Sequence, residues 1–323
     1  EASLSVVKKF FEIDSVRNEV ILAITPILDM NFDFFSYRPS YNIRSDTNKS
    51  GLRNLGSTCY MNSVLQQLFY TPEFIYLILT ERIQADQTDI QDVAAFSSIQ
   101  KLFSSMLLTK KKGVDTSEFA STWKWGKNLI NPREQQDAFE FFQTFLDQLP
   151  SRFHHFFKGT LQNTIENFIT TNTEPFYTFP LEVQNNHNMN ESFKVFLQKE
   201  LFEGYRTNDN RIIDAYKSTK IKEAPQILVI QLKRFEYDFQ TFHRIKINDR
   251  FEFPDNLDIK EIVDPDSNPN TKYVLSGVVL HCGTAQGGHY TSLKKIGSKW
   301  YWFNDNDVSI LNDSEFKTET FGY

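Results

Sequence analysis

The segment Gly51-Leu-Arg-Asn-Leu-Gly-Ser-Thr-Cys-Tyr60 is a polar, glycine-bearing loop that runs directly into an apolar repeat. Met61, Val64, Leu65, Leu68 and Phe69 fall at i, i+3, i+4, i+7 and i+8, which predicts one buried helical stripe over 58–70. Pro72 follows just beyond, as a stop signal for that helix. Cys59 therefore falls at a helix N-terminus, where unpaired N–H groups and the positive end of the helix dipole favour a thiolate. The plainer reading of such a residue is a small buried hydrophobe. Loop-to-helix placement favours the chemical one.

The surrounding sequence continues the helical pattern. Residues 1–23 keep helical spacing, and 26–50 read as an irregular leader with Pro26 and Pro39. A further helix is expected over about 91–108. Asp115 and Glu118 are spaced as a capping box for a short helix. Ala138, Phe141, Phe142, Phe145, Leu146 and Leu149 mark the buried face of a helix over about 135–149. Phe139 lies off that stripe and is the better candidate for a surface that meets a partner.

After about residue 158 the pattern changes. Ile227–Leu232 is a continuous apolar run that suits a buried strand. Tyr273–Leu280, interrupted by Gly277, Tyr290–Leu293 and Lys299–Phe303 suit further strands. Segments 159–183 and 200–223 alternate weakly and suit exposed strands or long hairpins. Helices first and strands later predict an α+β architecture in two lobes, with a cleft between lobes as a usual place for a site.

A cysteine nucleophile needs a base within hydrogen-bond reach. His281-Cys-Gly-Thr-Ala-Gln-Gly-Gly-His-Tyr290 supplies one in His289, where two glycines let backbone segments approach closely. Trp300-Tyr-Trp-Phe-Asn-Asp-Asn-Asp307 ends an aromatic strand with Asn304 and Asp305, either of which can accept from the ring nitrogen and hold the useful tautomer. Spacing alone does not choose between them, and an Asn/Asp turn is the plainer reading.

Taken together, these motifs resemble those of the ubiquitin-specific proteases. Gly51 to Gln67 resembles the family's cysteine box, and His281 to Thr291 with Trp300 to Val308 its histidine box. Gln135-Gln-Asp-Ala-Phe-Glu-Phe-Phe142, Gln231 to Asp238 and Lys246 to Pro254 resemble three intervening stretches, and all five occur in the family's order. The resemblance implies a papain-like fold with a helical thumb over 51–158 and a β-rich palm over 159–323. Fingers would come from about 159–183 and 200–225, and residues 1–50 precede the match. It also implies cleavage after the terminal glycine of ubiquitin, with ubiquitin and ubiquitinated proteins as partners. Cys59 matches the nucleophile, His289 the general base, Asn304 the third triad member with Asp305 as its possible substitute, and Asn54 the oxyanion-hole amide. Gln135, Asp137, Tyr290, His281 and Gly288 match positions along the ubiquitin tail. A catalytically silent ubiquitin-binding module and a protease for a ubiquitin-like modifier are the competing readings.

One departure concerns metal. Many family members carry two Cys-x-x-Cys pairs at the fingertips, whereas 163–171 and 204–212 here hold neither Cys nor His, so neither zinc nor any other cofactor is expected. His154 and His155 are adjacent and point apart on a regular element. Cys282 reads as an incidental small residue.

Composition narrows the function class. The 323 residues are 40% hydrophobic and 15% aromatic, with 31 Phe, enough for a large core. A net charge of −6 argues against a nucleic-acid partner, and Lys110, Lys111 and Lys112 read as a solvated loop. Two cysteines exclude a disulfide framework and point to a reducing compartment, cytosol or nucleus. No run of about 18 apolar residues suggests a membrane span. The chain begins at Glu1, not Met, which predicts a fragment cut from a larger protein, and a monomeric catalytic domain is expected.

Overall fold

The computed structural model describes residues 44, 47–82, 90–165, 170–206, 210–240, 242–267 and 270–321. The helix expected over 1–23 and the leader up to 43 lie outside these. The described chain is α+β and divides into two compact units. One comprises the described residues up to Phe153 with Ser276–Gly283 and Gly287–Thr320; the other comprises His154–Leu275 and Thr284–Gln286, with Phe321.

In the first unit the apolar stripe of the opening segment forms the helix Cys59–Phe69, from which only Gln67 is not fully buried. Pro72 does not merely stop this helix. It occupies the first turn of a new one, Pro72–Thr80, where its missing N–H has no partner to lose and its fixed φ suits the helix. The helix Ile90–Leu108 follows as expected. The capping box at Asp115 is replaced by a different arrangement. Thr116 is the N-cap of Ser117–Ala120, Asp115 Oδ1 accepts from Ser117 N at 2.8 Å, and the Glu118 carboxylate pairs with Lys101 at 2.7 Å. The stripe over 135–149 gives a shorter helix, Ala138–Asp147, because Asp137 caps it and leaves Gln135 outside. Its carboxylate accepts from Phe139 N and Glu140 N, satisfying two of the first-turn donors. Phe141 and Phe142 are buried, and Phe139 is half-buried.

Aromatic side chains fill the core of this unit. Trp123 stacks on both Phe119 and Phe145, with ring centroids 5.0 and 4.6 Å away, and the two phenylalanines meet each other at 6.3 Å. Tyr60 meets Phe141 edge-on at 5.6 Å. Such pairs add about 0.5–1.5 kcal/mol each beyond area burial. Arg44 donates to the carbonyls of Met106 and Leu107, capping the Ile90–Leu108 helix at its negative end. The unit is completed by a four-stranded sheet of Gly277–Thr284, Gly287–Ile296, Lys299–Asn304 and Asp307–Leu311 in chain order. The run Tyr273–Leu280 is thus two elements, Lys272–Val274 and the first sheet strand. Trp300 on the third strand stacks on Phe316 of the helix Asp313–Phe321 at 3.8 Å.

The second unit is built on its own core, in which Phe179, Leu181, Val183, Ile221, Phe251 and Ile259 are buried together. A four-stranded antiparallel sheet orders Thr170–Phe176, Gly159–Ile165, Ile212–Glu223 and Glu200–Arg206 side by side. On it Asn163 is buried, donates to Glu174 and accepts from Thr219 at 2.7 Å. The expected buried strand Ile227–Leu232 is shorter. Only Ile230–Lys233 is a strand, half-buried and paired in parallel with Phe179–Glu182. Among the described residues no group of three or more His, Cys, Asp or Glu is placed to hold a metal ion. Among them no helix is long and apolar enough to cross a membrane.

Candidate active site

The site is built within the first unit, and the loop before Cys59 is its scaffold. Asn54 Oδ1 accepts from Gly56 N at 2.9 Å and Thr58 N at 3.1 Å, while Thr58 Oγ1 accepts from Leu55 N at 3.0 Å. These local bonds wind the loop so that Thr58 becomes the helix N-cap and Cys59 the first helical residue, 2% exposed. Cys59 and Cys282 are both free thiols, the second one exposed.

His289 stands on the strand Gly287–Ile296. Its Nε2 lies 2.7 Å from Asn304 Oδ1 and 3.9 Å from Asp305 Oδ2. When Nε2–H donates to the Asn304 carbonyl oxygen, the neutral ring keeps its lone pair on Nδ1, the atom left for a thiol proton. Asn304 ends one strand and pairs with Asp307 across a two-residue turn, in which Asp305 sits at φ +49°. This left-handed conformation, which Asp tolerates, turns its side chain to other partners. Asp305 Oδ2 accepts from Asn54 Nδ2 at 2.9 Å and Oδ1 from Asn62 Nδ2 at 2.8 Å. Asp305 O accepts from Leu52 N at 2.8 Å. The two adjacent candidates for orienting the ring therefore occupy different places: Asn304 at the imidazole and Asp305 at the loop amides. A Cβ on Gly51 would lie 2.2 Å from Asp305 O, so this approach requires glycine.

Gln135 joins the cysteine to the histidine strand. Its Nε2 donates to Gly288 O at 2.6 Å and lies 3.5 Å from Cys59 Sγ, while its Oε1 accepts from Gly288 N at 3.0 Å. Gly288 is required by packing, since a Cβ there would lie 2.2 Å from Cys282 O and 2.5 Å from His281 Nε2. The His281 ring rests on Tyr290 with centroids 4.6 Å apart. Tyr290 is buried and donates to Asp137 Oδ2 at 3.2 Å. Burial, with the Asp137 carboxylate beside it, pushes this phenol well above its usual range. The Tyr60 phenol is raised in the same way, by burial first and then by its closeness to Cys59 and Glu134.

All ten residues singled out from the sequence thus lie in this one unit. Asn54, Cys59, Gln135, Gly288, His289, Asn304 and Asp305 form one chain of contacts, and Asp137, His281 and Tyr290 a second cluster beside Gly288. Sequence reasoning missed Asn62. Its position three residues after Cys59 put it one helical turn away, but nothing in the sequence showed that a buried amide there would meet Asp305.

A thiol at a helix N-terminus, with a histidine whose second nitrogen is held by an amide, is the arrangement of a thiol hydrolase. The chain belongs to the ubiquitin carboxyl-terminal hydrolase family, whose model matches residues 50–322. It is 31% identical over 303 residues to ubiquitin carboxyl-terminal hydrolase 15 of Schizosaccharomyces pombe, covering 88% of this chain and 26% of that one. It is 30% identical over 316 residues to hydrolase 15 of Saccharomyces cerevisiae, covering 88% of this chain and 25% of that one. The chain thus spans about a quarter of the length of these relatives. Among solved structures, a chain of the SAGA Ubp8/Sgf11/Sus1/Sgf73 DUB module bound to ubiquitin aldehyde superposes with a TM-score of 0.72 at 28% identity, over 96% of this chain and 74% of that one.

Proposed function

We propose that residues 51–323 form the catalytic domain of a deubiquitinating thiol hydrolase, which cleaves the peptide or isopeptide bond after the C-terminal glycine of ubiquitin. The observation that carries this reading is the His289 Nε2 to Asn304 Oδ1 contact of 2.7 Å, in the same unit as a cysteine at a helix N-terminus. Cys59 is the nucleophile and attacks the glycine carbonyl. His289 takes the thiol proton on Nδ1 and returns it to the departing lysine amine. Water activated by the same ring then hydrolyses the thioester.

An amide nitrogen carries two hydrogens. One on Asn54 Nδ2 is committed to Asp305, and the other is available to the oxyanion together with the N–H of Cys59. Asn304 holds the tautomer. Gln135, Asp137, His281, Gly288 and Tyr290 line the path of the ubiquitin tail, whose two terminal glycines suit a narrow channel. Two free thiols fit a reducing compartment, cytosol or nucleus. Neither a metal nor a cofactor enters this chemistry.

The test is turnover of a ubiquitin C-terminal fluorogenic amide beside the same amide on ubiquitin-like modifiers. Cys59-dependent release from ubiquitin alone supports the reading. Release from another modifier alone would assign a different substrate, and tight ubiquitin binding without release would make the domain a binding module.

A further inference from the structure

We propose that Gln67 is a positioning residue for the reaction: it holds the nucleophile helix in register with the strand that carries the base. The proposal rests on the reading of Cys59 and His289 given above. Gln67 sits on the Cys59–Phe69 helix, two turns beyond the cysteine and with no part in its chemistry. Its Nε2 lies 2.7 Å from Ser292 Oγ, 2.8 Å from Leu293 O and 3.3 Å from Val278 O. Ser292 is fully buried. The two hydrogens of this amide serve the two shorter contacts, both on the strand Gly287–Ile296, and Val278 O of the neighbouring strand Gly277–Thr284 is the longer third contact of the same nitrogen.

The seat is shaped for that amide. A Cβ on Gly277 would lie 1.9 Å from Gln67 Oε1 and 2.7 Å from Cδ, so the missing side chain leaves the space that the carboxamide fills. On the histidine strand the residues held by amides bracket the base. Gln135 bonds both backbone groups of Gly288, one residue before His289, and Gln67 bonds Ser292 and Leu293, three and four residues after it. Gln135 also reaches the thiol, whereas Gln67 acts only through the frame. A strand advances about 3.3 Å per residue and alternates its faces, so sliding by one residue would carry the imidazole to the wrong face. Displacements of about 1 Å at reacting atoms lower rates by about 10²-fold. Gln67 opposes that displacement.

The experiment compares the full 323-residue chain with Gln67→Met, which keeps length and loses the amide, and with Ser292→Ala, which removes the nearest acceptor. Both are assayed on a ubiquitin fluorogenic amide for kcat and KM, and by the rate at which a small haloacetamide alkylates Cys59. The expected result for Gln67→Met is a fall of about 10²-fold in kcat, with KM within about twofold and slower alkylation. Ser292→Ala, short of one hydrogen bond, should lose about fivefold in kcat. It decides by the same criterion if Gln67→Met does not fold. Turnover that needs Cys59 but is indifferent to both substitutions, or a loss confined to KM or to thermal stability, would overturn this proposal alone. Turnover that persists in Cys59→Ala would overturn the reading of the site and this proposal with it.

Discussion

Asn54 donates its side-chain amide to the Asp305 carboxylate at 2.9 Å, which ties the loop before Cys59 to the turn after Asn304. Asn62 donates to the other oxygen of the same carboxylate at 2.8 Å. The carboxylate therefore fixes which way the Asn54 amide points, and the amide is the group assigned to the oxyanion. Removing one oxyanion donor lowers kcat by about 10²–10³-fold. Asp305→Ala should fall within that range. The double variant Asn54→Ala/Asp305→Ala should lose scarcely more than the worse single variant, because both act through one donor. Strict additivity of the two losses in kcat would separate the residues and contradict the account.

The role proposed for Asn304 is different, and a different signature follows. Without its carbonyl oxygen, the imidazole loses the acceptor that, in the proposed mechanism, holds the proton on Nε2. Asn304→Ala should lower kcat by about 10²-fold through loss of a correctly held base, with ubiquitin affinity unchanged. If Asn304→Ala retained wild-type turnover while Asp305→Ala did not, the orienting role would pass to Asp305, 3.9 Å from the ring.

Adjacent residues with different tasks mark the limit of what sequence alone made legible. The helix from Cys59 was readable because its stripe is regular, and the family motifs pointed to ten residues that the fold places in one unit. Asn304 and Asp305 were indistinguishable by spacing, because a left-handed φ at one residue is a tertiary choice made by the Asn54, Asn62 and Leu52 contacts. Pro72 was read as a stop because the same residue suits the position after one helix and the first turn of the next. The short helix Met189–Phe196 went unread, although Asn188 caps it by accepting from Glu191 N. The Gln67 seat was invisible for another reason: it depends on the absent side chain of Gly277, more than 200 residues away in sequence.

Gly51 gives a steric test of the same loop. A methyl group there would lie 2.2 Å from Asp305 O and 2.6 Å from Asn306 Cα, both backbone atoms that a rotamer change cannot move aside. Gly51→Ala should destabilise the fold by about 1–3 kcal/mol and reduce kcat as well, because the turn it displaces holds Asp305. Calorimetry and turnover on one preparation check both, and an unchanged melting temperature would refute the packing.

Lys294 gives a pH test that leaves the catalytic residues untouched. Its side chain is 5% exposed, with Ser276 Oγ at 3.4 Å, and burial pulls its pKa from 10.5 to about 8. Below about pH 8 both the folded and unfolded states carry the proton, and the fold bears the whole penalty of a buried cation. Between about pH 8 and 10.5 only the unfolded state keeps it, so stability rises with pH across that window and is level above it. The rise corresponds to about 3 kcal/mol. Lys294→Met should be more stable than wild type at pH 7, and this rise should be missing from its stability curve between about pH 8 and 10.5. Equal slopes in the two proteins would show that Lys294 keeps its charge at little expense.

The most direct measurement is covalent capture. The purified chain, Cys59→Ala and Cys282→Ala are each incubated with ubiquitin bearing a C-terminal electrophile, and intact masses are recorded. The account predicts a gain of one ubiquitin in the wild type and in Cys282→Ala, and no gain in Cys59→Ala. A ubiquitin adduct on Cys59→Ala, or none on a folded wild-type chain, would contradict it.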